Sequence, residues 1–315
     1  MAKFKITVVG AGMVGGTLAQ RLAERNFADI VLIDIVGDLA CGKALDIAQT
    51  APIYGYDINI IGGDNWELTK DSDIVVITSG VPRKPGMTRE ELLEINFKIV
   101  KDVSEKTKRY CPNSVVIVVS NPLDAMTYTA YKVLGFPKNR VMGMAGVLDT
   151  ARFRTFLAQE LQVSPKDIFA FVLGSHGDTM VPILSYTTVN GVPVEKILPK
   201  DKLERLVERT RKGGAEIVEL LKTGSAYYAP SAAVLDMIDA IVFDRKRILP
   251  VCVICEGEYG INGVFVGVPV LMGKNGAEKI YEFQLKEEEL SALRKSSEIV
   301  KKLQDEVDVL LKKYA

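Results

Sequence analysis

Two kinds of stretch alternate along the first half of the chain. Some are short runs that are almost wholly apolar, and others are longer segments in which apolar residues return at helical spacing. Phe4-Lys5-Ile6-Thr7-Val8-Val9 predicts a buried strand, and Thr17 to Ala23 predicts the helix after it. Ile30 to Ile33 predicts a second strand, Gly37 to Thr50 a helix closed by Pro52, and Asp57 to Ile61 a short strand. Ile74 to Thr78 and Val115 to Val119 predict two more buried strands, with a helix between them from about Arg89 to Arg109. Continuous Val/Ile runs separated by helices mark a parallel sheet covered on both faces. Near Val141 the alternation stops. Beyond it come longer amphipathic helices, Lys202 to Leu221 and Lys286 to Lys313, and a hairpin signal at Asn190-Gly191. The fold class is therefore α/β. A doubly wound parallel sheet occupies residues 1–146, and an α+β substrate and catalytic domain occupies residues 147–315.

In such sheets ligands sit beyond the carboxyl ends of the strands, so the residues at those ends carry the most information. The first strand runs into Gly10-Ala11-Gly12-Met13-Val14-Gly15-Gly16. A sharp strand-to-helix turn aims free N–H groups and the positive end of a helix dipole at one point, where an anion belongs. Gly10 permits the turn, Gly12 lets backbone approach a pyrophosphate, and Gly15 lets helix and strand pack closely. The second strand ends in Asp34, about twenty residues further on, where an acid binds the adenosine ribose of a dinucleotide. A carboxylate there favours NAD over NADP, because it repels a 2′-phosphate. The other strands end in the Pro/Gly-rich segment Ser79 to Arg89 and in Ser120-Asn121-Pro122-Leu123-Asp124, so all four places should converge.

Composition narrows the partners. The 315 residues include 40 basic and 40 acidic side chains, which gives no electrostatic reason to expect nucleic acid or an anionic membrane. No run approaches a membrane span, and the first strand is too soon broken by glycines to serve as a signal peptide, so a soluble, cytoplasmic protein is expected. The four cysteines, Cys41, Cys111, Cys252 and Cys255, are scattered. The last two lie three residues apart in a strand pattern, on opposite faces, which argues against a metal site or a disulfide. All four read as buried structural thiols.

The chemistry concentrates in two pieces. Leu148-Asp149-Thr150-Ala151-Arg152 opens a helix and puts Asp149 and Arg152 on one face. Gly174-Ser175-His176-Gly177-Asp178 sets the only histidine of the chain in a glycine-flanked loop after a strand. A lone histidine is often a packed bystander, but the loop setting and a pKa near neutrality favour an acid–base role.

Together, the glycine turn with Asp34, the segment Gly80 to Arg89, Asn121-Pro122-Leu123-Asp124, Asp149-Thr150-Ala151-Arg152 and Gly174 to Asp178 resemble the NAD-dependent malate and lactate dehydrogenases, in order and over essentially the full length. The resemblance implies a Rossmann-type domain that holds NAD through Gly10, Gly12, Met13, Val14, Gly15, Asp34, Asn96 and Asn121. It implies His176 as the general acid and base, with Asp149 on its other ring nitrogen. Arg152 would grip the carboxylate beside the reacting carbon, Arg89 would polarise the carbonyl, and Asn121 would bond the same oxygen. The Ser79 to Arg89 segment resembles the family's mobile loop, and the family often carries a cis peptide before the proline that follows Asn121. Arg83, where lactate enzymes usually carry glutamine, implies a dicarboxylate substrate and hence malate and oxaloacetate, a tricarboxylic acid cycle reaction. The subgroup implies a homo-oligomer, a tetramer in preference to a dimer, and no metal. Lactate or another 2-hydroxy acid is the alternative substrate. More distant readings are a non-catalytic NAD-binding protein or an NAD-dependent glycosidase, which would need a cysteine near His176 to hold its metal.

Overall fold

A computed structural model describes residues 4–82 and 86–314. The first half runs β1 (Phe4–Val9), α1 (Met13–Arg25), β2 (Ala28–Ile33), α2 (Gly37–Ala48), α3 (Ala51–Tyr54), β3 (Ile60–Gly63), β4 (Ile74–Ile77), α4 (Arg89–Tyr110), β5 (Val115–Val118), α5 (Leu123–Leu134) and β6 (Val141–Gly143). These six strands pair in parallel in the order β3-β2-β1-β4-β5-β6. This is the Rossmann arrangement, whose order reverses between β1 and β4 and opens a crevice at their carboxyl ends. Every residue of β4 and β5 is buried, as a strand covered on both faces requires.

The start of β3 differs from the sequence pattern. β3 starts at Ile60 rather than Asp57, because the N–H groups of Asp57 and Asn59 are taken by the side chains of Asn26 (3.0 Å) and Asp29 (2.9 Å) and not by a ladder.

The second half contains α6 (Gly146–Leu161), five two-residue strands, β7 (Ile168–Phe169), β8 (Val172–Leu173), β9 (Val181–Pro182), β10 (Thr188–Val189) and β11 (Val192–Pro193), then α7 (Lys200–Leu221) and α8 (Tyr228–Val242). It closes with β12 (Arg247–Glu256), β13 (Asn262–Gly273), β14 (Gly276–Ile280) and α9 (Glu287–Lys313). The Asn-Gly hairpin joins antiparallel β10 and β11, with φ of 46° at Asn190 and 85° at Gly191, the double positive that a type I′ turn demands. The sequence pattern did not reveal where β12 to β14 go. They run antiparallel and extend the Rossmann sheet to nine strands, β12 meeting β6 at Cys252 and Gly143. That junction has no room for a side chain on β6. A Cβ on Gly143 would stand 2.4 Å from Thr127 Oγ1 and 3.1 Å from Cys252 Cβ.

Cys111, Cys252 and Cys255 are buried, but Cys41 is exposed on α2 and donates to the Gly62 carbonyl at 3.1 Å, which corrects the expectation for that thiol. No described helix is long and apolar enough to cross a membrane.

The helix α2 lies unusually close to β3. A Cβ at Gly62 would come within 2.1 Å of the Ala40 carbonyl oxygen, and the position has no positive φ to complicate the reading. Gly62→Ala is therefore expected to destabilise the protein by about 1–3 kcal/mol through overpacking alone. Thermal melts check this, and an unchanged Tm would show that the helix can move away freely.

Candidate active site

The glycine turn has the predicted geometry, and each glycine has its own reason. Gly10 sits at φ 104°, and a Cβ there would lie 2.7 Å from Thr78 Oγ1. At Gly15 a Cβ would stand 1.9 Å from the Gly10 carbonyl oxygen, so α1 can leave the sheet here only through a glycine. Nothing lies within 4 Å of a Cβ built on Gly12, which faces open space. Gly12 is also the N-cap of α1, and no side chain caps that terminus. Uncapped N–H groups at the positive end of a helix, with open space in front, fit a pyrophosphate. Asp34 lies against the turn: its Oδ2 accepts from Ala11 N at 2.6 Å and its Oδ1 from Val36 N at 3.0 Å. Each oxygen keeps a lone pair for a ribose hydroxyl. Met13 is exposed at the same lip.

A second group forms around Asn96, which is 1 % exposed on α4. Its Oδ1 accepts from Val81 N at 2.8 Å, and its Nδ2 donates to Val81 O at 3.1 Å and to Asn121 O at 2.6 Å. Both amide protons are thereby used on backbone, so Asn96 holds two strand-end segments in place and has no donor left for a ligand. The peptide between Asn121 and Pro122 is cis. The helix α4 itself is started by a capping box, in which Thr88 accepts from Glu91 N and Glu91 accepts from Thr88 N. Arg89 opens that helix two turns before Asn96 and is exposed. Arg83 lies outside the described residues.

The third group brings together Asp149, Arg152 and His176. The first turn of α6 contributes Asp149, whose side chain is 2 % exposed. Its Oδ2 meets His176 Nδ1 at 2.8 Å, and its Oδ1 accepts from the Arg152 guanidinium at 3.1 Å. One buried anion is thus shared by an imidazole and a guanidinium. Among the described residues His176 Nε2 has no protein partner, and Arg152 Nε is buried with none. Gly213 and Gly214 of α7 make room for the arginine, since Cβ atoms there would lie 3.2 Å and 3.6 Å from it. The histidine loop is tied down independently: Gly174 exchanges both backbone hydrogen bonds with Gly267 at 2.9 Å, and Ser175 N donates to Ser296 Oγ at 2.9 Å. Burial pulls the His176 pKa down, but the Asp149 charge and hydrogen bond outweigh it, and the net shift is upward.

The structure therefore brings Asp149, Arg152 and His176 into one hydrogen-bonded unit and joins Asn96 to Asn121. Two participants had escaped notice. Thr78, at the end of β4, donates from Oγ1 toward the carbonyls of Val9 and Gly10, each at 3.0 Å, and fixes the glycine turn. Asp124 is buried on α5 and accepts from His176 N at 3.0 Å. A lone charge in the otherwise apolar Leu123-Asp124-Ala125-Met126 was the available signal for it.

A dinucleotide cradle at the switch point of a Rossmann sheet, beside a carboxylate-braced histidine and a half-satisfied arginine, defines an NAD-dependent oxidoreductase. The chain belongs to the lactate/malate dehydrogenase family: residues 4–143 match the model of its NAD-binding domain and residues 146–310 that of its α/β C-terminal domain. It is 55 % identical to a malate dehydrogenase of Bacillus israeli over 94 % of this chain and 96 % of that one. It is 57 % identical to a malate dehydrogenase of Chlorobium limicola, with the same coverages. Among solved structures, the apo malate dehydrogenase of Picrophilus torridus superposes with a TM-score of 0.95 at 48 % identity, covering 100 % of both chains. A Cryptosporidium parvum lactate dehydrogenase complexed with lactic acid and NAD gives 0.95 at 40 % identity, covering 98 % of this chain and 99 % of that one.

The raised His176 pKa fixes the sign of a pH effect. A group that binds its proton more tightly in the folded state adds stability that is fully present below its unfolded pKa, about 6.5, and is lost as pH rises through the folded value. Asp149→Asn removes the cause, so it should lower Tm more at pH 5.5 than at pH 8.5. An equal loss at both values would mean that the pair carries no charge.

Proposed function

We propose that the protein is a malate dehydrogenase that interconverts malate and oxaloacetate. The observation that supports this most directly is the sharing of Asp149 between His176 and Arg152, which leaves one imidazole nitrogen and the arginine's outer donors for a 2-oxo acid. NAD supplies the hydride chemistry when bound. His176 holds a proton on Nε2 for the carbonyl oxygen and takes it back in the reverse direction, while Asp149 fixes the tautomer and favours imidazolium. Arg152 orients the adjacent carboxylate in a planar fork. Arg89 polarises the carbonyl, and Asn121 donates toward the same oxygen. Asn96 supports the cofactor end by holding Val81 and Asn121 in place.

Arg83 is our choice for reading the second carboxylate of oxaloacetate, because a guanidinium makes a planar two-point contact that the neighbouring Lys84 cannot. Pyruvate would leave that cation desolvated and unpaired. In this reading residues 1–146 bind the cofactor and residues 147–315 the substrate. Exposed Leu39, Leu45, Ile53 and Tyr54 on α2 and α3 and exposed Val218, Leu220 and Leu221 on α7 favour assembly with further copies, and we assign a cytoplasmic homotetramer.

Two measurements test the assignment. His176→Asn should lower turnover by roughly 100-fold to 10,000-fold, with NADH affinity nearly intact, and undiminished turnover would make the histidine a bystander. For the substrate, kcat/KM is compared between oxaloacetate and pyruvate in the wild type and in Arg83→Gln. Leaving one partner of a buried ion pair alone costs about 2–5 kcal/mol, a preference of roughly 30-fold to several thousand-fold. The wild type should prefer oxaloacetate by that order, and the variant should move toward pyruvate mainly through poorer use of oxaloacetate. A wild-type preference for pyruvate, or a shift under about threefold, would show that Arg83 does not select the substrate.

A further inference from the structure

The glycine turn holds one more glycine than the cradle needs. Gly10, Gly12 and Gly15 are accounted for, but Gly16 lies inside α1, where glycine weakens a helix and alanine would strengthen it. The space beside it is taken by Lys43. A Cβ on Gly16 would stand 3.2 Å from both the Cδ and the Nζ of that lysine. Lys43 stands midway along α2, and its half-buried side chain crosses to α1, where Nζ donates to the Gly12 carbonyl at 3.0 Å. Gly12 is the residue that faces open space at the uncapped end of α1.

That position is unfavourable for a cation unless an anion joins it. Cations stabilise the carboxyl end of a helix and are disfavoured at its amino end. Yet this ammonium lies against the first turn of α1, and that turn contains no acidic residue. Among the described residues the Gly12 carbonyl is its only partner, and no carboxylate pairs with it. Asp34, the acid at the turn, is engaged with Ala11 N and Val36 N. The positive end of the helix and the lysine thus meet at Gly12, and a glycine in the helix makes room for the lysine. On the reading of this turn as the dinucleotide cradle, we propose that Lys43 is a further cofactor-binding residue. It brings a positive charge to the pyrophosphate, and Gly16 is the gap in α1 that lets it come so close. The pyrophosphate is a dianion, so the helix end and the ammonium together match it.

NADH binding, measured by nicotinamide fluorescence without any 2-oxo acid, separates a charge contact from a packing contact. Lys43→Gln should weaken NADH roughly tenfold, the scale of one charge-assisted hydrogen bond. Adenosine keeps the base and ribose but lacks phosphate, so its affinity, measured by competition, should change by less than about twofold. Lys43→Arg should restore most of the loss, and added salt should weaken NADH less steeply in Lys43→Gln than in the wild type. Gly16→Ala improves the helix but crowds the lysine. It should weaken NADH when Lys43 is present and have under about a twofold effect once Lys43 is glutamine. Unchanged NADH binding in Lys43→Gln, or equal losses for NADH and adenosine, would show that the lysine only staples α2 to α1 and would overturn the proposal. Additive losses from the two substitutions would overturn the seat assigned to Gly16. Should Lys43→Gln fail to fold, the wild type decides: ADP-ribose should protect Lys43 from acetylation by acetic anhydride, read by peptide mass spectrometry, and adenosine should not. Equal protection, or none, counts against the contact. Every readout is of binding alone, so failure to turn over oxaloacetate would overturn the substrate assignment and leave this result standing.

Discussion

The site depends on where one negative charge is held. Asp149 sits in the first turn of α6 with its side chain almost wholly out of water, and isolated burial of a carboxylate is among the most expensive arrangements a protein can contain. Two partners relieve that cost, the Nδ1 of His176 and the guanidinium of Arg152. The same contacts that satisfy the anion leave His176 Nε2 and Arg152 Nε without a hydrogen-bond partner among the described residues. In the proposed function, proton transfer and carboxylate recognition are therefore set by one compensation. A neutral residue at position 149 would loosen the histidine and the arginine together. The fold supports this arrangement by tying the histidine loop to β13 and α9 and by clearing space for the arginine with two glycines on α7.

The parts of this architecture that obey a short-range rule are legible in the sequence. Apolar runs such as Ile74 to Ile77 read as two-sided strands, and the glycines at 10 and 15 can be assigned before any coordinate is seen because each answers a separate steric demand. The Asn190-Gly191 turn is of the same kind. Asp149, Arg152 and His176 are legible as candidates, but their union is not, since 27 residues separate the histidine from its carboxylate.

What stays hidden is contact between distant segments. Nothing in the Arg247–Glu256 run says that it will pair with β6 and continue a sheet begun at the other end of the chain. The expectation of a buried Cys41 was wrong for a related reason: burial of a small residue on an amphipathic helix depends on which neighbour covers it, and α2 turns that face outward. Asn96 bonds the backbone of both Val81 and Asn121, a union of three distant segments that no local pattern announces.

The segment from Asn121 to Asp124 joins the two ends of the site through the main chain. Its first residue is gripped by Asn96 at the cofactor crevice, and its last holds the backbone of His176. Four consecutive residues thus couple the two ends, and the covalent reach of the chain caps how far apart they can move. A single inserted or deleted residue there would shift both ends at once.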